Sequence, residues 1–402
     1  MRPLGVNARL APYGATVFAE MTALAVKHGA VNLGQGAPDF DGPEFVKEAA
    51  IQAIRDGRGQ YARMTGLPEL TSAIAARFTK TSGLSCDGER EVVVTCGATE
   101  AILDCMAGLL DPGDEVVLFE PYYDSYPACV EIAGGVPRVV TLEAPGFRID
   151  EAAVRAAITP RTRMIVVNSP HNPSGRILDA EERAIVARIA IEHDLIVLSD
   201  EVYEELWFDI PHRSLALEPG LRERTIVLGS FGKSFSLTGW KIGWAIAPAG
   251  LATGIRSAHQ FATFCAATPL QVAAAAALAA PDAYFEEFRR DYRARRDRMI
   301  GGLVACGFRC ELPEGGYFAL ADHSAFGFDD DRAFCHHLVE HGKVAAIPPG
   351  AFYRNKANAR TLVRFAFCKT DATIDAALER LEAYARRYGG GAVERETGHA
   401  SV

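Results

Sequence analysis

Five short runs of β-branched and aliphatic residues recur between residues 91 and 229, and each is separated from the next by a longer segment with helical patterning. The runs are EVVVT at 91–95, EVVLF at 115–119, RMIVVN at 163–168, LIVLS at 195–199 and TIVLG at 225–229, with Gly, Pro, Asp or Asn at their borders. Runs that are apolar throughout, rather than alternating, suit strands buried on both faces, and strands linked through helices run parallel. The chain is therefore expected to build an α/β domain around a mostly parallel central sheet. Ligands of such sheets collect at the carboxyl ends of the strands, so the residues that follow each run are the candidates for chemistry.

At 402 residues, 49% hydrophobic and 23% charged, the chain carries enough apolar material for two or three domains and is unlike disordered, collagenous or coiled-coil sequences. Its longest wholly aliphatic stretch, residues 272–280, falls far short of the roughly 20 residues that a bilayer needs, so no membrane span is expected. The first 30 residues hold Arg2, Arg9, Glu20 and Lys27 and no unbroken apolar stretch, which argues against a secretory signal and for a cytoplasmic location. With 42 Lys and Arg against 51 Asp and Glu the net charge is −9, a field that repels nucleic acid. Nine cysteines without a secretory signal read as reduced thiols.

Helices are expected over 68–79, 99–110, 179–193 and 270–280. A charged helical stretch follows over 285–304, with Arg289, Arg290, Arg293, Arg295, Arg296 and Arg298 read as a solvated face. Residues 308–388 read as an α+β unit with strands FALAD and TLVRFAF and helices at 331–340 and 373–388. The expected division is an N-terminal arm and part of a small domain over 1–40, a large domain over 41–281, a small C-terminal domain over 282–388 and a disordered tail over 389–402.

The run TIVLGS leads directly into Phe231, Gly232 and Lys233, placing an amine just past a strand tip, which reads either as a surface-loop lysine or as a Schiff-base lysine that burial and nearby positive charge would keep reactive. Ser230 lies three residues before it, and Lys241 eight residues after it supplies a second cation. After EVVVT come Cys96, Gly97, Ala98 and Thr99 and then a helix, a combination of small residues and helix N–H groups that suits a phosphate and equally suits a plain cap by Thr99. LIVLS leads into Asp200 and Tyr203, a carboxylate able to keep a heterocyclic nitrogen protonated and a phenol beside it. RMIVVN leads into SPHNPSG, a turn that presents the Asn172 amide.

Together, NLGQGAPDF, NSPHNPSG, SDEVYEEL, SFGKSFSLTGWKIGW and LVRFAFCK, in that order, resemble the class I/II pyridoxal-phosphate aminotransferases of fold type I across residues 10–388. Within that family the likeness is to the kynurenine, glutamine and methionine aminotransferases and the N-succinyldiaminopimelate aminotransferases. The resemblance implies an α/β large domain with a smaller α+β domain built from both chain ends, pyridoxal 5'-phosphate as cofactor, and amino acid and 2-oxo acid substrates in a ping-pong reaction through a Lys233 aldimine. It implies that Asp200 pairs with the pyridine nitrogen, that Asn172 and Tyr203 bond the phenolate oxygen and that Tyr122 stacks on the ring. It gives Gly97, Ala98, Thr99, Ser230 and Lys241 to the phosphate, with lysine standing at 241 where many members carry arginine. Arg364 in TLVRFAF matches the carboxylate clamp, with Gly36, Asn172 and Phe18 also placed at the substrate. Tyr61 resembles a tyrosine lent to the neighbouring subunit's phosphate, which implies a homodimer with shared active sites.

Other signals carry less. His336, His337 and His341 lack the glutamate and third ligand of a zinc helix, so no metal is expected there. Asp329, Asp330 and Asp331 lack calcium-loop spacing and read as a helix start. No G-x-G-x-x-G follows a strand, which removes the main support for a nicotinamide cofactor. The same cofactor residues serve a cysteine-conjugate β-lyase or an amino acid oxidase, which remain the alternative outcomes. Phe18, Tyr61, Tyr123, Phe261 and Phe264 are candidates for an apolar side-chain pocket, and Arg63 for a distal carboxylate.

Overall fold

A computed structural model describes residues 5–7, 9–14 and 16–389. The chain forms two compact units, the first from the described part of 1–14 with 37–292 and 314–316, the second from 16–36, 293–313 and 317–389. The tail expected over 389–402 lies, from residue 390 on, outside the described residues.

The first unit is built on seven strands, β1 (Val92–Thr95), β2 (Glu115–Glu120), β3 (Val136–Thr141), β4 (Thr162–Asn168), β5 (Ile196–Asp200), β6 (Thr225–Ser230) and β7 (Gly243–Ile246), in the order β1-β7-β6-β5-β4-β2-β3. All pairs are parallel except those of β7, which runs antiparallel to both neighbours. Two hydrophobic cores flank the sheet. Val92 and Val94 enter one, with Trp244, Ile246 and Phe231, whereas Val93 enters the other, with Leu118, Val166, Leu198 and Leu228. A strand that feeds both cores must be apolar at every position, which is why these runs do not alternate. The expected runs all fall in strands; β3 and β7 were not among them. The edge strand β3 has only one buried residue and contains Pro137, a residue confined to edges because it has no N–H to donate.

Two helices of this unit matter below, α1 (Ala98–Leu109) and α2 (Ala249–Ala262). They cross where glycine faces glycine: a Cβ on Gly108 would lie 2.2 Å from the Gly254 carbonyl oxygen. Only a residue without a side chain permits that approach.

The unit boundary falls at Tyr292 rather than near residue 281, within the helix Asp282–Ala305. Aromatic residues from its first half hold it to the first unit, with Tyr284 stacked on Phe235 at 5.2 Å and Phe285 edge-on to the same ring at 5.8 Å. The arginine run of this helix is not uniformly solvated. Arg289 pairs with Glu205 at 3.0 Å and covers Trp207, and Arg296 is buried and donates to the Pro313 carbonyl. The arm before residue 15 belongs to the first unit, where Tyr13 donates to Glu131.

In the second unit, β8 (Phe318–Asp322) lies between β9 (Leu362–Ala366) and the short strand Arg309–Cys310, all antiparallel. A parallel pair, Val31–Asn32 with Val344–Ala345, stands apart from that sheet. The helix Val17–His28 and the C-terminal helix Asp371–Tyr388 belong to the same unit, so both ends of the described chain contribute to it. Asp330 caps the helix Asp331–His337, as the aspartate run suggested. No helix of the described residues is long and apolar enough to cross a membrane, and all nine cysteines are free.

Candidate active site

In the first unit, the carboxyl ends of β1, β4, β5 and β6 carry the residues singled out above. Asp200, the last residue of β5, is buried, and its carboxylate accepts from the Tyr126 hydroxyl at 2.5 Å and the Val202 N–H at 3.2 Å. Burial pushes the Asp200 carboxyl above its ordinary range, while Tyr126, Val202 and the nearby Lys233 ammonium pull it back. Lys233 lies within the helical turn Phe231–Ser234 that follows β6, partly buried, with its Nζ 5.6 Å from the centre of the buried Tyr203 ring. Asn172 is held in its turn by its own N–H, which donates to Asn168 Oδ1 at 2.8 Å, while the Asn168 amide donates to the Asp200 carbonyl. The His171 ring, partly buried and pushed down to a pKa of about 4 by desolvation, bridges Ser174 and the Pro121 carbonyl and stiffens the same turn.

The start of α1 brings together groups that could receive an anion. Gly97 is the N-cap, with φ of 83°, and no side chain caps it, so Thr99 is not the cap. A Cβ on Gly97 would lie 3.0 Å from Lys241 Nζ, so the lysine amine passes directly over the bare backbone. Gly243 brings β7 equally close, since a Cβ there would meet the Ala98 nitrogen at 2.5 Å. Ser230 pairs with Gly243 across the sheet. Uncapped helix N–H groups, a primary amine and two hydroxyls, those of Thr99 and Ser230, form a set suited to a phosphate.

Sequence reasoning placed Tyr122 on the ring, gave Tyr123 to an apolar side-chain pocket and did not name Tyr126. Tyr122 packs into the core with Leu118 and Tyr126, whereas Tyr123 lies with its hydroxyl 3.4 Å from Thr99 Oγ1 and its ring edge-on to Tyr126. Consecutive residues point opposite ways, and a sequence cannot say which of two adjacent tyrosines faces the ligand. Tyr126 carried no motif at all; only the fold brings its hydroxyl to Asp200. A second omission is the group Glu100, Asp104 and His259, whose ligand atoms lie within 4.8 Å of one another and which, among the described residues, has the spacing a metal ion would need.

In the second unit, Arg364 on β9 is 1% exposed. Its backbone exchanges hydrogen bonds with Ile347, and its guanidinium donates to the Gly34 carbonyl at 3.0 Å and lies 4.1 Å from the Phe318 ring centre, 4.9 Å from Phe352 and 5.2 Å from Phe18. Aromatic faces favour a guanidinium and hold it flat. The Gly36 carbonyl accepts from the Tyr317 hydroxyl at 2.8 Å. Arg63 of the first unit is already committed, in a two-pronged pair with Glu89 at 2.9 and 3.1 Å. Tyr61 is 85% exposed and meets Phe264 edge-on at 5.5 Å. A cavity of about 590 Å³ in the same unit, lined by Arg77, Glu204, Trp207 and Trp244, contains none of the expected cofactor residues.

Residues 28–381 match the family model described as aminotransferase class I and II. The chain is a class I and II aminotransferase. It is 47% identical over 390 residues to a probable N-succinyldiaminopimelate aminotransferase of Mycobacterium tuberculosis, covering 94% of this chain and 98% of the relative. A methionine aminotransferase of Escherichia coli is 39% identical over 380 residues, with 94% and 98% covered. The solved structure of the N-succinyldiaminopimelate aminotransferase of Mycobacterium tuberculosis superposes with a TM-score of 0.92 at 48% identity, covering 94% of this chain and all of that one. This aminotransferase has the fold type I architecture, uses pyridoxal 5'-phosphate and acts on amino acids and 2-oxo acids. Elimination and oxidation are not favoured, since these relatives are named for amino transfer. The aminotransferase has residues that fit the cofactor: a buried acid with an amine in its field, and a cradle over Gly97 that a single methyl group would fill.

Proposed function

We propose that the enzyme takes the amino group of an L-amino acid in a first half-reaction and gives it to a 2-oxo acid in a second, with Lys233 carrying the proton between substrate and cofactor. Pyridoxal 5'-phosphate, when bound, supplies the electron sink that an α-carbon needs in order to lose its proton. Asp200 keeps the ring nitrogen protonated, and Tyr126 and Val202 keep Asp200 ionised and aimed. Asn172 and Tyr203 bond the phenolate oxygen, and Tyr123 takes the stacking role in place of Tyr122. Gly97, Ala98, Thr99, Ser230 and Lys241 hold the phosphate, with Lys241 acting as a point charge rather than a planar fork. Arg364, with Gly36 and Phe18, receives the substrate carboxylate. Two copies pair, each lending Tyr61 to the other's phosphate, in the cytoplasm.

The observation that carries this proposal is the burial of Asp200 with Lys233 in its field, since a buried carboxylate costs stability unless hydrogen bonds and a nearby cation offset it. The proposed donor is N-succinyldiaminopimelate, on the 47% relative that spans the chain. Methionine is the second reading, on the 39% identical relative that also spans the chain. A half-reaction panel with N-succinyldiaminopimelate, methionine, kynurenine and glutamine tests both. The highest kcat/KM is expected for the succinylated donor; a higher value for methionine selects the second reading, and loss of cofactor absorbance with none of them overturns the proposal.

A further inference from the structure

The first turn of α1 contains a charge that works against the site it forms. Glu100 occupies the third helical position, and its carboxylate folds back to accept from the Cys96 N–H, one residue before Gly97. An acid at that position supports a helix start by itself. Here the same N–H groups must also attract a phosphate, and a second anion within one turn weakens that attraction.

His259 lies against this acid. Its Nδ1 is 3.2 Å from Glu100 Oε1 and 3.4 Å from Asp104 Oδ2, and Thr263 donates to the same Glu100 oxygen. The ring is fully buried, Asp104 is 1% exposed, and neither Asp104 oxygen has a hydrogen bond of good geometry. An imidazole between two buried carboxylates is stable as the cation. It reaches them because α1 and α2 approach closely at Gly108 and Gly254, which sets His259 opposite Glu100.

We propose that His259 is a positioning residue for the cofactor phosphate: its imidazolium cancels the Glu100 charge and holds that carboxylate on the Cys96 N–H, which fixes the backbone of Gly97 and Ala98 for the anion. The inference rests on the proposed assignment of the phosphate to Gly97–Thr99 and Lys241. It assigns to α2, which contributes no residue to the cofactor in the proposal above, control over phosphate affinity.

Equilibrium dialysis of the holoenzyme gives the Kd for pyridoxal 5'-phosphate, and the enzyme exchanged into pyridoxal gives the Kd for the same ring without its phosphate. H259N is expected to weaken binding of the phosphorylated cofactor on the order of tenfold, the scale of one hydrogen bond to a charged group, and to leave pyridoxal binding unchanged. Adding E100Q to H259N removes the stranded charge and is expected to restore most of the loss, which a simple packing defect would not allow. Equal weakening of both cofactor forms, no weakening of either, or no rescue by E100Q overturns the inference. K241M is the control for the underlying assignment. If K241M shows the phosphate-specific loss and H259N does not, the inference alone fails; if neither does, the cradle itself is misassigned.

Discussion

At the scale of single residues, the chemistry depends on groups whose burial would be unfavourable without partners. Asp200 is the clearest, because burial raises its pKa and three neighbours lower it again. Removing the Tyr126 hydroxyl takes away one of the three, destabilises the carboxylate and moves the Asp200 pKa further up. Y126F should therefore shift the acid limb of the half-reaction pH profile to higher pH and slow the reaction about tenfold at neutral pH, consistent with ~1.5–3 kcal/mol for a hydrogen bond to a charged group. Stopped-flow half-reactions from pH 5 to 9 would measure it, and an unmoved limb would remove Tyr126 from the site. Arg364 makes a second case. Lysine keeps the charge but loses the planar fork and its contact with the Phe18, Phe318 and Phe352 faces. R364K should raise KM for amino acid donors by roughly tenfold or more, with the absorbance of bound cofactor unchanged.

At the scale of elements, the strand tips were legible because a strand feeding two cores must be apolar throughout, and the residues just past such a run are then fixed in place. Lys233, Asp200, Asn172 and Gly97 were readable in that way. The contact between α1 and α2 was not, because it depends on Gly108 meeting Gly254 across 146 positions of sequence. That contact also sets a pH dependence. Burial disfavours the His259 cation, but the Asp104 and Glu100 carboxylates outweigh it and hold its pKa up to about 9. A folded-state pKa above the ordinary value of about 6.5 contributes stability that is complete below pH 6.5 and is lost as pH rises through 9. Urea unfolding from pH 6 to 10 should show wild-type enzyme losing stability across that window and H259N losing less. Parallel curves would show that His259 carries no charge in the fold.

At the scale of the whole molecule, the two-unit division was legible in outline, as a parallel α/β body and an α+β unit drawing on both chain ends. Its boundaries were not, since packing of Tyr284 and Phe285 on Phe235 holds the first turns of the long helix to the first unit. The choice between Tyr122 and Tyr123 was hidden for a similar reason: facing is a property of the packed chain, not of a motif. The proposed pairing of two copies gives the exposed Tyr61 a role that a single chain does not. Mixing Y61A with K233A under conditions that exchange subunits should restore about one quarter of wild-type activity, as expected when random exchange makes half of all dimers hybrid and each hybrid holds one intact site. Absence of restored activity in proven hybrids would show that Tyr61 serves its own chain.

The family and fold are common to many enzymes; in this chain the amine in the field of the buried acid Asp200 is Lys233. Borohydride reduction of the holoenzyme followed by peptide mass mapping tests it most directly. The expected result is a pyridoxyl phosphate mass on the peptide containing Lys233, absent from K233A. A label on Lys241 or any other lysine, or a full label surviving in K233A, would contradict it.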